Sequence, residues 1–482
     1  MRRPTGSYKW LALSVTGLGA LLASMNSGTL IIALPTLMRD LHASLFSLIW
    51  ILLAYNLTQT VLVLNVGRLS DMLGRKNLYV LGFAVFSAAS LAAGFAGSAG
   101  ALIALRVLQG VGGGLMIANS SAIVTDAFPR HELGLALGAN QMLVAVGAIA
   151  GPIIGGWLTT LGWSWVFWFN VPLGVLGGVW AALNLRETSA ALDRKDPLDA
   201  WGNVTYAAGL GLLMIGLSEG GVQSWATGLP IAALGALLLA AFAVIETRAR
   251  YPMLDLSLFS DPRFSLGNAT AFLNAMTRQA LTFLLVFYYQ GARGLDPVSA
   301  GLALVPQAAG LLIAAPIAGR LADRNGPDQL MRWGLAITTA SLAALALLVQ
   351  LNTPLVALAG LMFLSGVGGG LFNSPNTSSI MGRVPADRRG VAAGLRTLLL
   401  SVGGVLSIIY TLGVVAGNLP RDVMFKVFSG LASNLPAATL EPFIHGLKTA
   451  CWTLTALSAA SLGISSLRAA RTPARVAVAA DD

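Results

Sequence analysis

The sequence is short of the groups from which most catalytic centres are made. It has three histidines and one cysteine, Cys451. A single cysteine excludes an internal disulfide, and so few imidazole and thiol ligands leave almost nothing from which to build a metal or hydrolytic site. No glycine–lysine pair occurs anywhere, which excludes a G-x-x-x-x-G-K-[ST] phosphate-binding loop and argues against ATP-driven work by this chain alone. Charge is scarce as well. Only 10% of the 482 residues are Asp, Glu, Lys or Arg, against about 25% in an ordinary soluble protein, too few to cover a soluble surface. What fills the chain is apolar: 56% hydrophobic residues and a mean hydropathy of +0.74.

The apolar residues come in runs of about 20, the length a helix needs to cross a hydrocarbon core of about 30 Å. These runs predict an all-α polytopic membrane protein with fourteen spans. They lie near 10–35, 47–68, 77–97, 101–125, 136–158, 165–185, 201–218, 227–247, 264–290, 299–319, 330–350, 354–380, 390–416 and 446–467. The first run, Trp10 to Leu37, exceeds the apolar core of a signal peptide and is expected to be a retained span. An even count places both termini on one side. Of the 30 Lys and Arg, 22 then fall on that side, five (Arg39, Arg293, Arg421, Lys426 and Lys448) on the other, and three (Arg106, Arg278 and Arg396) within spans. Such asymmetry predicts cytoplasmic N- and C-termini in a cell (inner) membrane. The net charge of +10 is thereby a topological signal rather than a nucleic-acid footprint, its basic residues being scattered singly and in pairs. All 20 acidic residues map to loops, span ends or tails, with Asp126 and Glu219 nearest the membrane.

The chain also repeats itself. GRLSDMLGRK from Gly67 returns as GRLADRNGPD from Gly319, GVGGGL at Gly110 returns at Gly366, and GLALG at Gly134 is answered by GVAAG at Gly390. Collinear matches at offsets of 252 and 256 residues indicate a duplicated six-span unit. The expected division is 1–189 for one bundle, 190–250 for two extra spans, 251–470 for the second bundle and 471–482 for a cytoplasmic tail. Parallel repeats around a central site are a transporter architecture.

The loop Gly67-Arg-Leu-Ser-Asp71-Met-Leu-Gly74-Arg75-Lys76 resembles the signature G-x-L-x-D-x-x-G-R-K of the major facilitator superfamily. Its weaker copy has Gly319, Leu321, Asp323 and Gly326. Arg106-Val-Leu-Gln109-Gly110 is similar to the family's fourth-span motif. Gly147-x-x-x-Gly151-Pro152-x-x-Gly155-Gly156 looks like the fifth-span motif of its antiporters. Asn170-Val-Pro172-Leu-Gly174 and the span count point to the fourteen-helix drug:proton antiporter branch. The resemblance implies two six-helix bundles plus two helices between them. It also implies a gate at the signature loop, with Gly67, Asp71, Gly74, Arg75, Asp126, Gly319 and Asp323 as its parts. Glycines at 147, 151 and 155 share one helix face, and with Pro152 and Gly156 they are expected to form a tight seam between the halves.

One departure bears on coupling. Aligned on Ala33-Leu34-Pro35, the branch's first-span aspartate becomes Asn26 and its asparagine becomes Ile31. An amide cannot titrate, and membrane proton relays need a buried titratable group. Proton antiport and a preference for cationic drugs are therefore both in question, and Asn26→Asp is expected to create or strengthen pH dependence. The arginines remain. Arg106 belongs to the family motif. Arg396, two turns inside its span, is expected to snorkel outward. Arg278 lies too deep for that, with Asn274 one turn earlier on the same face. It is read either as binding an anionic substrate group or as neutralised by carbonyls, amides and water. The residues expected to line a substrate or coupling path are Asn26, Arg106, Gln141, Asn274, Arg278, Gln307 and Asn373. Asn56, Gln59, Asn119 and Asn376 are candidates for the same cavity or for interhelical hydrogen bonds.

Together these readings predict a secondary transporter exporting small amphipathic compounds by alternating access, with no enzymatic activity. A small-molecule substrate and membrane lipids are its expected partners, and protons its candidate coupling ion. It needs no metal, cofactor or nucleic acid, and a monomer is the expected working unit. Two alternatives stay open: an uncoupled facilitator or exchanger for anionic or neutral solutes, and a non-transporting receptor or scaffold. For the latter, the segment Gly417 to Lys448 offers Phe425, Val427, Phe428 and Leu431 as a docking face or a helix lying on the membrane.

Overall fold

A computed structural model describes residues 6–129, 132–187, 199–248, 256–382, 384, 389–417, 419–432 and 435–470. The first half is built from α1 (Gly6–Asp40), α2 (Leu45–Leu73), α3 (Arg75–Ala93), α4 (Ala99–Ala127), α5 (Leu133–Leu161), and the short α6 (Ser164–Trp168) that runs into α7 (Asn170–Asn184). A hairpin follows, α8 (Ala200–Val222) and α9 (Trp225–Arg248). The second half comprises α10 (Pro262–Phe287), α11 (Pro297–Asn325), α12 (Pro327–Leu348), α13 (Leu355–Met381), α14 (Arg389–Ala416) and α16 (Ala437–Ala470). Between the last two lies the short α15 (Arg421–Phe428). No strand occurs among the described residues.

Local chemistry sets where these helices begin. Ser44 accepts from the Ser47 N–H at the start of α2, and Ser98 from Ala101 at the start of α4. Asp261 and Asp296 cap α10 and α11, each followed by a proline whose missing N–H costs nothing at that position. Asp296 accepts from Val298 N at 2.9 Å and from Ser299 N at 3.1 Å. The Ser299 hydroxyl and these N–H groups hold its carboxyl below the ordinary carboxylate value. A lowered folded value stabilises above the unfolded value and is lost as pH falls through the folded one. We therefore expect Asp296→Ala to cost about 1 kcal/mol at neutral pH, a typical cap, and to flatten the loss of stability below pH ~4. Melting curves from pH 3 to 7 check this.

The sequence repeat is visible as repeated packing. Only Gly74 separates α2 from α3, at φ +94°, and only Gly326 separates α11 from α12, at φ +82°. These are turns that an L side chain enters only with strain. The two GVGGGL copies do one job. In α4, a Cβ at Gly110 would meet Tyr55 O of α2 at 2.7 Å, and one at Gly112 would meet Phe86 N of α3 at 2.5 Å. In α13, Gly366 lies on Gln307 O of α11 and Gly368 on Gly334 O of α12. The fourth helix of each unit is thus wedged, backbone to backbone, between the second and third.

Among the described residues, twelve helices are long and apolar enough to cross a membrane. Two more complete the bundle. α8 pairs with α9 and also touches α14 and α2, while α10 packs along α14 and α16. α10 is the least apolar because it carries Asn268, Asn274, Arg278 and Gln279. This gives fourteen membrane helices, as the apolar runs predict. Leu176, Leu183, Leu237 and Leu347 are exposed, the outer surface that lipid covers.

Candidate substrate path and gate

The junctions at Gly74 and Gly326 mark one end of the bundle, here called the junction end. The α1–α2 loop, the α10–α11 turn and α15 mark the far end. Within the first half, Arg106 of α4 is wholly buried. Its Nε donates to Ile51 O at 3.0 Å, and its terminal nitrogen donates to Gln109 Oε1 and to Asn26 Oδ1, the latter at 3.4 Å. The guanidinium lies 4.5 Å from the Tyr55 ring centroid. Asn26 is the hub of this knot. Its Oδ1 also accepts from Gln109 Nε2 at 3.2 Å and from Asn170 Nδ2 at 3.3 Å, and Gln109 reaches Ser90 Oγ at 2.7 Å. The motifs around Arg106, Gln109 and Asn170 therefore meet at Asn26 of the first span. At 1% exposure, Asn26 is sealed in the helix packing and does not face a cavity.

The second half is arranged differently. Arg278 sits at the middle of α10 and is exposed. Its guanidinium makes no hydrogen bond or ion pair with any described residue. Asn274, one turn before it, is buried. Thr282, one turn after it, donates to Arg278 O and to Gln307 Oε1 of α11, at 3.2 and 3.0 Å. Gln307 is 7% exposed, and its Nε2 has no partner among the described residues. Arg396 of α14 is half-buried, and its buried Nε has no acceptor among the described residues. Asn373 is half-buried, and its backbone carbonyl accepts from Thr377 Oγ1 at 2.7 Å, while Asn376 donates to Gly267 O at 3.1 Å as interhelical glue. Gln59 and Asn119 bond within their own half, to Tyr55 and Leu115. The Gln141 side chain lies outside the described residues.

The halves meet toward the far end. Gln290 Nε2, in a π-helical turn at Tyr288–Ala292, donates to Ile32 O of α1 at 2.9 Å. A Cβ at Gly156 of α5 would lie 2.5 Å from Pro297 O, and one at Gly301 would lie 2.3 Å from Pro152 O. Gly156 and Pro152 thus form the seam between halves. Gly147, Gly151 and Gly155 do not: they lie on Leu21, Gly28 and Thr29 of α1, inside the first half. Four-residue spacing defines a face, and α1 takes that face because it is the immediate neighbour. α15 plugs the same end. Val427 and Phe428 are fully buried, Phe428 stacks edge-on to Phe287 at 4.5 Å, and Gly430 rests on Pro35. Phe425 and Leu431 stay exposed.

At the junction end, Arg75 pairs with Asp126. Glu187, which no motif marks, accepts from the Arg75 N–H at 3.0 Å and so places a negative charge at the start of α3. Side chains of Asp71 and Asp323, and the surroundings of Gly67, lie outside the described residues; Gly319 approaches Ser374 Oγ. Glu246, in the last turn of α9, is the acid whose burial charge mapping missed, at 3% exposure. It too lies at a span end. Among the described residues no cluster of His, Cys, Asp and Glu could hold a metal ion.

Comparison with known proteins agrees with this architecture. The chain is 30% identical over 430 residues to the riboflavin transporter RibZ of Clostridioides difficile, covering 88% of this chain and 93% of that one. It is 31% identical over 431 residues to the tetracenomycin C resistance and export protein of Streptomyces glaucescens, covering 89% and 79%. A multidrug resistance protein, Stp, of Mycobacterium tuberculosis is 30% identical over 439 residues, covering 90% and 78%. In fold, the chain superposes on a bacterial homolog of the human lysosomal transporter Spinster in an inward-facing, occupied conformation, with a TM-score of 0.71, 16% identity and 97% and 98% coverage. The Major Facilitator Superfamily model matches residues 16–408, and the chain, a multi-pass membrane protein, belongs to that family, on its drug-efflux side.

Proposed function

We propose that the protein is a secondary transporter that exports small amphipathic compounds across the bacterial inner membrane by alternating access. The observation that carries this reading is the distribution of contacts between the halves. The hydrogen bond, the close glycines and the plug gather between mid-depth and the far end, where Gln290 meets Ile32 and Gly156 meets Pro297. A bundle closed there and rocking about that seam exposes Arg278 and its neighbours to the junction end. The halves that rock are 1–189 and 251–470, with 190–250 as a peripheral pair. The basic asymmetry supports a cytoplasmic junction end, with both termini on that side. Export, rather than uptake, is supported by the name of the Streptomyces relative, a resistance and export protein; the Clostridioides relative keeps vitamin-like solutes in view.

Coupling follows from the knot at Asn26. A buried amide held by three donors cannot carry a proton, which favours a second reading in which transport is not proton-driven. Purified protein in liposomes with an imposed pH gradient and a fluorescent amphipathic compound tests both. Compound flux with coupled proton movement supports antiport. Compound flux without proton movement supports the uncoupled reading. No flux of any compound, with a stable complex to another protein, overturns both in favour of a scaffold.

A further inference from the structure

We infer that the second half contains a recognition site for the anionic oxygen group of an amphipathic solute, a carboxylate or sulfonate, held by Arg278, Arg396 and the Gln307 amide. This deepens the transporter reading and rests on it. The site presents donors and no acceptors. Arg278 is exposed at mid-helix with no partner among the described residues. Gln307 Oε1 is taken by the Thr282 hydroxyl, which turns the buried Nε2 away as the unpaired group. Arg396 contributes a buried Nε, likewise without an acceptor.

α10 and α14 lie along one another, with Gly404 against the Gln279 stem, so Arg278 and Arg396 are carried on adjoining helices. No acidic residue occurs between 262 and 287 or between 389 and 416. Two like charges brought together inside a membrane are costly unless something neutralises them. Their planar forks match a two-oxygen anion bidentately, and an added amide donor completes the pattern. A cationic drug is the ligand this arrangement disfavours. In the first half Arg106 already donates to Asn26, Gln109 and Ile51 and lies under the Tyr55 ring, which leaves one terminal nitrogen without an acceptor among the described residues.

The test measures binding without flux, so its outcome is separate from whether the protein transports. Naphthalene-2-sulfonate, 2-naphthol and 2-naphthylmethylammonium share one ring system and differ in charge. Their affinities are measured calorimetrically on full-length protein in a zwitterionic detergent. The wild type is expected to bind the sulfonate most tightly. Arg278→Gln and Arg396→Gln should each weaken the sulfonate about ten-fold or more, the loss of a charge-assisted pair, and change naphthol less than about three-fold. Gln307→Leu should fall between them. Arg278→Lys, which keeps the charge, covers the case in which Arg278→Gln does not fold: it should bind the sulfonate more weakly than wild type but still more tightly than naphthol. Equal losses for all three probes, or unchanged sulfonate affinity in both glutamine variants, would overturn the assignment. A lipid headgroup could supply the same chemistry. If anionic phosphatidylglycerol stabilises the wild type but not the variants, while the sulfonate does not bind, the solute assignment is likewise overturned.

Discussion

Gly156→Leu is expected to leave the protein folded and to lower transport by about ten-fold or more. A Cβ at this position would lie 2.5 Å from Pro297 O and 2.9 Å from Val298 Cα, both backbone atoms of the other half at the start of a helix. Backbone held by the Asp296 cap cannot yield as a side-chain tip would. Overpacking typically costs about 1–3 kcal/mol. That cost falls on the state in which the far end is shut, because the atoms nearest this Cβ position belong to the other half. A bias of that size shifts a two-state balance about 5–150-fold. Gly151→Leu should behave differently. Its Cβ position meets Gly28 Cα of the same half at 2.9 Å, a contact kept in every state, so it should lower the yield of folded protein. Flux in proteoliposomes, read beside thermal stability, separates the two. Full transport by Gly156→Leu would remove the seam from the gating account.

Arg106→Leu should have the largest effect on stability of any single change in the first half. Leucine fills part of the volume but leaves Ile51 O and Gln109 Oε1 without this donor, in a place no water reaches, and strips the guanidinium from the Tyr55 ring. Each buried acceptor left unpaired costs about 1–3 kcal/mol. Arg106→Lys rescues little, because an ammonium cannot serve three acceptors spread across a planar fork. Size-exclusion profile and thermal unfolding measure this. A wild-type melting temperature in Arg106→Leu would show that the knot is dispensable. The same knot revises the expectation for Asn26→Asp. The carboxylate would be buried against Arg106 as an ion pair rather than open to a cavity, so the pH profile of transport should follow the stability of the first half.

How much of this was legible in the sequence depends on whether the signal was local. Apolar length located the fourteen spans, but it gave the sixth as one run where the structure breaks it at Phe169, and it started the last span nine residues late, at 446 rather than Ala437. The repeat offset matched Gly74 with Gly326 and one GVGGGL segment with the other; that the first pair are turns and the second wedges is shown only by the structure. Partners were harder. The spacing of Gly147, Gly151 and Gly155 marks a face, but only three-dimensional packing shows that α1 takes that face and that Gly156, one position on, meets the other half. Asn26 was singled out for the right reason, its place in the motif, yet its burial comes from Gln109 and Asn170, which are 83 and 144 residues away. Glu187 and Thr282 carry no motif, so nothing in the sequence marks their contacts. For Arg396, helical position alone does not reveal that its Nε is enclosed.

The most direct test of alternating access is a lock at the far end. An ideal Cβ on Gly430 lies 3.5 Å from Pro35 Cβ, within the separation a disulfide spans. Gly430 has φ +74°, so a cysteine there carries a strain of about 1–2 kcal/mol, small beside a covalent bond. Pro35→Cys/Gly430→Cys in a Cys451→Ser background ties the tip of α1 to the loop that α15 anchors on Phe287. Substrate flux into or out of proteoliposomes is measured after oxidation and again after reduction. The account predicts that the oxidised protein still binds substrate but does not transport, and that a reductant restores flux. Undiminished transport by the fully oxidised protein would contradict it.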